Sequence, residues 1–196
     1  MKKTNSRTLQ AKRTKRKLLR NAIKLIEKNG FDNVTIEDIC KVSKLSVGAF
    51  YHYFSSKTDI ITELYMEIDD YFEDEVAGKL GKKSAIDDLI VFFSHFARFI
   101  SDQKYFHVSV LYATRNEVLI DKERFMYVCL NEIIQKGQEK GEIKGTYETG
   151  FIEDFLFVLA RGTIFDWILN KGEYDLEEKM KANFEVACPV FFTDQA

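Results

Sequence analysis

Across 196 residues this chain places a single proline, and its apolar residues recur three and four positions apart. Strands alternate with a period of two and are punctuated by proline and glycine at their turns. A chain with one Pro, 10 Gly and a three-to-four repeat has one consistent way to bury its apolar surface, a bundle of amphipathic helices. Hydrophobic residues make up 45% of the chain and charged residues 31%, which permits a sizeable core and argues against wholesale disorder. The chain reads as all-α, with about nine helices.

Local signals divide it further. Residues 1–10 are polar and basic without apolar periodicity and read as a flexible arm. From Ala11 to Asn29 the residues Leu18, Leu19, Ala22, Leu25 and Ile26 form one stripe, which Gly30 stops. Thr35 with Asp38 three residues on is a capping-box variant ahead of a short helix near 36–42. Ser46 opens a second short helix near 47–53, and Ser56 with Asp59 launches a long one towards Gly78. The segment "GKLGKKS", residues 78–84, reads as a loop and hinge. Five more helices are expected near 84–102, 104–115, 117–140, 148–171 and 175–192. The expected domains are a head over 1–55 and a helical body over 56–196.

Several classes of protein fall away. No apolar run approaches the roughly 20 residues a membrane helix needs, and the basic start is not followed by the apolar stretch of a secretory signal. Cys40, Cys129 and Cys188 are odd in number, widely spaced and set among apolar residues, so neither a disulfide framework nor a zinc site is expected. Three histidines without paired spacing make no metal site, and no nucleophile–base constellation marks an enzyme. No metal, cofactor or membrane partner is expected, and the chain reads as reduced and cytoplasmic.

Charge is unevenly spread. Residues 1–60 carry 14 Lys and Arg against 5 Asp and Glu, while the remainder carries a surplus of acid that brings the whole to a net −2. A basic head on an acidic body suggests that one end meets a polyanion. The stretch "SKLSVGAFYHYFSSK", residues 43–57, says how. Two short helices joined by a tight turn and braced by a longer one have the layout of a helix-turn-helix. Phe50 and Phe54 share a face that packs on the scaffold, while Gly48 and Ala49 leave room for the helix end to enter a DNA groove. Tyr51, Tyr53 and Lys57 are placed to hold backbone phosphates. Lys2, Lys3, Arg7, Lys12, Arg13, Lys15 and Arg16 offer further phosphate or minor-groove contacts.

The segment "LLRNAIKLIEKNGFDNVTIEDICKVSKLSVGAFYHYFSSKTDII" resembles the N-terminal domain of TetR-type transcriptional regulators, most specifically in "GAFYHYFSSK". That resemblance implies that Thr35 caps the second helix and touches phosphate. It implies that Ser46, Val47, Gly48 and Ala49 face the groove, and that Tyr51, Tyr53 and Lys57 clamp the backbone. Lys44 stands where the family usually has glycine. A lysine in left-handed backbone costs about 1 kcal/mol, so an altered turn is expected there.

The body carries many aromatics, and as a set they suggest a cavity for a hydrophobic or amphipathic effector. The candidate lining is Tyr65, Phe92, Phe96, Phe99, Tyr112, Phe125, Cys129 and Trp167, with His95, His107, Arg115 and Asn131 as polar anchors. The family resemblance implies a homodimer built from the helices near 148–171 and 175–192. Phe155, Leu159, Gly162, Thr163, Asp166, Phe184 and Phe191 are the candidate contacts. A dimer presents two recognition helices about one DNA turn apart, hence a palindromic double-stranded operator. The expected function is a repressor released by a small effector; the alternative is a DNA-bound dimeric interaction module with no small-molecule effector.

Overall fold

The computed structural model describes residues 2–114 and 117–193, with side chains from residue 8 onward. Among them are nine α-helices and no strand, apart from one isolated bridge between Ile143 and Phe192. The chain divides into two compact units, Met1–Tyr65 and Met66–Ala196. The division falls inside a helix, ten residues beyond position 55.

The N-terminal unit contains α1 (Lys2–Asn29), α2 (Ile36–Ser43), α3 (Val47–Tyr51) and the first half of α4 (Thr58–Tyr71). Helix α1 ends as expected, with Gly30 at φ 83° returning its N–H to Ile26 O. It starts earlier than expected: residues 2–10 are helical, not a flexible arm. Apolar periodicity reports a buried face rather than helicity itself, so its lack there does not exclude a helix. Leu18, Ala22 and Ile26 of α1 are buried with Val34, Ile39, Cys40, Phe50 and Phe54. Asn21 Nδ2 adds a hydrogen bond to Ser43 Oγ, 3.2 Å.

The turn after α2 corrects a second expectation. Lys44 adopts φ 55°, ψ 49°, the left-handed geometry that glycine supplies in this position of the motif. The N–H groups of Lys44 and Leu45 close the helix end on Lys41 O and Cys40 O. The turn is kept, with Lys44 itself exposed, and these backbone bonds offset the cost of left-handed geometry at a residue with a β-carbon.

The C-terminal unit begins with the rest of α4, which passes into a π-helical turn at Phe72–Val76 and a 3₁₀ turn at Ala77–Lys79. Then come α5 (Ala85–Asp102), α6 (Tyr105–Ala113), α7 (Phe125–Glu139), α8 (Thr149–Leu169) and α9 (Leu176–Ala187). The single helix expected over 117–140 is broken. A 3₁₀ turn at Glu117–Leu119 is followed by a bend in which Asp121 Oδ1 accepts the Glu123 N–H at 3.0 Å, and only then does α7 start. Helix α9 stops before Pro189, which opens a 3₁₀ turn, Cys188–Phe191.

Phenylalanines fill the interior of this unit. Phe93 lies 4.0 Å from Phe184, Phe72 lies 4.8 Å from Phe92, and Tyr127 lies 4.1 Å from Phe157, ring centre to ring centre. In all three pairs the rings are tilted against each other, and each ring buries a large apolar surface. The start of α5 is fastened to α7 and the loop after it. Ser84 Oγ caps α5 through the Asp87 N–H, and Glu142, 57 residues away, accepts the Ala85 N–H. Gly137 permits this approach, since a β-carbon there would stand 2.8 Å from Ala85 Cβ and 2.7 Å from Ile143 Cδ1.

Gly137→Ala is therefore expected to destabilise the protein by about 1–3 kcal/mol through overpacking, despite alanine's better helix propensity. Denaturant unfolding checks it; a stabilised variant would contradict the close approach.

Candidate nucleic-acid interface and effector pocket

The head presents a coherent outer face. Ser46 Oγ accepts the Ala49 N–H at 3.1 Å and so fixes the first turn of α3. Phe50 is sealed beneath and Phe54 lies 5.6 Å from it, so the two rings anchor α3 to the scaffold. Ser46, Val47, Gly48 and Tyr51 are left exposed, with Ala49 and Tyr53 half-buried beside them. The exposed Thr35 forms a full capping box. Its Oγ1 accepts the Asp38 N–H at 3.1 Å, while its own N–H and hydroxyl donate to Asp38 Oδ2 at 3.0 and 2.6 Å. Those two donors hold Asp38 below the usual carboxylate range. Backbone N–H groups at the start of α3, small side chains and tyrosine hydroxyls on one face are the means to hold phosphates and admit base edges.

Two of the expected phosphate contacts have another task first. Lys57 Nζ donates to Phe31 O at 2.6 Å and to Val34 O at 2.9 Å, and sits 4.2 Å from the centre of the Phe31 ring. It ties the loop between α1 and α2 to the start of α4, which leaves one N–H for any phosphate. Lys15 pairs with Glu63 at 2.6 Å and lies over the Phe54 ring. Lys12, Arg13 and Arg16 are exposed, whereas the side chains of Lys2, Lys3 and Arg7 lie outside the described residues.

In the body, a cavity of about 490 Å³ opens between the start of α5, α7 and residues 77–81. Phe125, Val128, Cys129 and Ile133 form much of its apolar wall, so Phe125 and Cys129 of the expected lining meet here. Burial pushes the Cys129 thiol up to about 11, which keeps it protonated and inert. Phe92, Phe96 and Phe99 do not line this cavity. All three are buried, Phe92 and Phe96 in the ring cluster and Phe99 against Tyr71. Tyr112 and Trp167 are also elsewhere: Trp167 is buried, with Nε1 donating to Tyr174 O at 3.1 Å. Tyr65 belongs to the N-terminal unit. Of the expected anchors, His95 bonds to the Tyr71 hydroxyl, Asn131 reaches Glu153 Oε2 at 3.4 Å and His107 is buried; Arg115 lies outside the described residues.

The polar groups of the cavity had no local signature in the sequence. Asp88 is 5% exposed and accepts the Gly81 N–H at 2.8 Å. Glu132 and Lys136 pair at 2.9 Å on the rim, where Lys83 and Lys140 are exposed. Behind the cavity, Arg124 Nε donates to Asp69 Oδ2 at 2.8 Å and Nη1 to Val118 O at 3.0 Å. Asp69 Oδ1 also accepts the Met126 N–H, so a carboxylate from α4 caps α7. Partners 55 residues apart could not be matched by spacing.

The open face of α8 keeps Phe155, Gly162 and Asp166 of the expected contacts and adds others. Phe151, Phe155, Val158, Gly162, Phe165, Asp166 and Leu169 are exposed, with Val158 at 62% and Leu169 at 65%. Val186 and Val190 are exposed at and after α9. Leu159 is half-buried. Thr163, Phe184 and Phe191 face inward: Thr163 Oγ1 donates to Leu159 O and accepts Asn183 Nδ2, while both phenylalanines sit in ring clusters. Those three are core, and their contact role is withdrawn.

Residues 18–64 match the profile for bacterial regulatory proteins of the tetR family, and residues 74–188 match that for the C-terminal region of YsiA-like proteins. The sequence is 23% identical over 162 residues to the fatty acid metabolism regulator protein of Bacillus subtilis (strain 168), covering 79% of this chain and 84% of that one. The structure resembles Thermus thermophilus FadR in complex with lauroyl-CoA, with a TM-score of 0.74 at 18% identity, over 93% of this chain and 97% of that one. It also resembles Bacillus subtilis FadR in complex with stearoyl-CoA, with a TM-score of 0.67 at 21% identity, over 87% and 95%. At these identities the structural likeness speaks for the fold.

The double engagement of Lys57 makes it a structural cation. Lys57→Met is expected to cost the head about 2 kcal/mol in the absence of DNA, the loss of charge-assisted bonds to two carbonyls. Hydrogen exchange of the α2 amides measures it; unchanged protection would return Lys57 to a purely phosphate-holding role.

Proposed function

This chain belongs to the TetR family of bacterial regulatory proteins, and from that premise we propose that it is a dimeric repressor which leaves a palindromic operator when an amphipathic effector enters the cavity beside α7. It is a DNA-binding transcription regulator rather than an enzyme. Among the described residues no helix is long and apolar enough to cross a membrane. We place its work in the cytoplasm, where operator DNA is.

The observation that carries the effector reading is the cavity together with its neighbours. Its wall includes Ala77, Leu80 and Gly81, the segment into which α4 runs through its π turn. Its other wall, Phe125 to Gly137, belongs to α7, whose first turn is held by Asp69 of α4. An effector that spreads these walls pulls on the end of α4, the helix that also contributes to the head. π turns cluster at functional sites, where helical register changes most readily. The shift follows only if the effector binds the DNA-incompetent arrangement more tightly. The cavity also favours this reading over a ligand-free interaction module, whose body would need no such space.

Dimerisation is supported by the exposed apolar face of α8 with Val186 and Val190. Exposed apolar patches of this kind mark interaction surfaces. Gly162, with no neighbour in the protomer, leaves room for a partner backbone. A second copy on this face pairs two α3 helices, and Ser46, Val47, Gly48 and Ala49 of each then read one half-site. Thr35, Tyr51, Tyr53 and the spare donor of Lys57 hold the phosphates.

Val158→Asp is expected to yield a monomer in size-exclusion chromatography with light scattering, at concentrations where the parent is a dimer. A variant that stays dimeric would move the interface elsewhere. Binding to duplexes from the protein's own upstream region is expected to weaken about tenfold or more between low and physiological salt, as counterions compete for the phosphates. Fluorescence anisotropy reads this, and a flat response would contradict the phosphate contacts.

A further inference from the structure

The charged groups that line the cavity do not contribute equally. Three lysines, Lys83, Lys136 and Lys140, stand against three carboxylates, Asp88, Glu132 and Glu142. The lysines are all exposed, and Lys136 is already paired with Glu132. Solvent-exposed charges are screened and contribute little to the field felt by a buried ligand. Glu142 accepts the Ala85 N–H and is only half-buried.

Asp88 is the exception. Its side chain is buried, it lines the cavity, and its one hydrogen bond comes from the Gly81 N–H to Oδ2. Among the described residues it forms no ion pair, and Lys140 and Lys136 act on it only from beyond ion-pair distance. Burial, with the neighbouring charges of Asp87 and Glu142, raises the acid, while the Gly81 N–H and the more distant charge of Lys140 favour its ionised form. A carboxylate held out of water with half its acceptor capacity unused is stabilised by any donor cation that reaches it. The apolar wall of Phe125, Val128 and Ile133 lies in the same cavity, whose 490 Å³ is within the range that encloses a drug-sized molecule.

We propose that this cavity takes an amphipathic organic cation, its ammonium group against Asp88 and its apolar body along Phe125, Val128 and Ile133. The inference rests on the reading of this cavity as the effector site and adds the chemical class of the effector. The ring-filled interior, with Phe92, Phe93, Phe96, Phe157 and Phe184 in contact, confines the apolar body to the α7 wall.

The test is titration calorimetry on the full chain with decyltrimethylammonium, decanol and decanoate, each below its aggregation concentration. These probes share a tail and differ in charge. The cation is expected to bind most tightly, and Asp88→Asn to weaken it by about tenfold or more while leaving decanol unchanged. Asparagine keeps a carbonyl oxygen for the Gly81 N–H, so the loop stays held and the melting temperature of the variant checks that it does. Decanoate binding as tightly as the cation, an unchanged Asp88→Asn variant, or no binding by any probe would each overturn the proposal. Operator release is followed separately by anisotropy. Release by decanoate alone would leave the repressor reading intact and sink this one; cation binding through Asp88 without release would do the reverse.

Discussion

The arrangement of the body depends on one buried contact, the pair formed by Asp69 of α4 and Arg124 at the start of α7. The Arg124 side chain is 2% exposed, and its Nη1 donates to the carbonyl of Val118. Such a pair adds little net stability over an apolar substitute, because desolvation offsets the Coulombic gain. What it does enforce is geometry. A buried guanidinium without its carboxylate is costly enough that α4, the 117–119 turn and the first turn of α7 must move together or not at all. Asp69 also caps α7, so the helix that forms the cavity wall begins where α4 tells it to.

The head obeys a similar logic with different chemistry. Its recognition helix is only five residues long and is too short to stand alone. Ser46 at its start and Phe50 and Phe54 beneath it hold it in place, while Lys57 ties the loop between α1 and α2 to the start of α4. The tyrosines that crowd this stretch are then free to face outward. Phe50 and Phe54, four residues apart, are buried, while Tyr51 is exposed and Tyr53 half-buried.

How much of this was legible depends on range. The caps at Thr35, Ser46 and Ser56 were readable because each partner lies three residues away, and the nine helices followed from apolar spacing. Lys44 was misjudged because a small strain was set against a turn that two backbone hydrogen bonds and the packing of Phe50 determine. The caps supplied by Asp69 and Glu142 cross 57 residues in each case, and no local pattern carries them. Helix α8 is apolar on two sides, so spacing separates them only in part: Phe155, Gly162 and Asp166 of the expected contacts lie on the open face with Phe151, Val158, Phe165 and Leu169, whereas Thr163 turns inward. The aromatic richness of the body was read as a cavity lining. Most of it is the filling, and the cavity owes its character to Asp88 and to α7.

The central claim is that the cavity and the DNA face are two ends of one equilibrium, joined through α4. Linkage requires the coupling to be reciprocal. The direct measurement is the affinity of a cavity ligand for the dimer, taken by calorimetry with and without saturating operator duplex. The account predicts weaker binding with the duplex present, by the same factor by which the ligand weakens operator binding. An affinity indifferent to the duplex would contradict it.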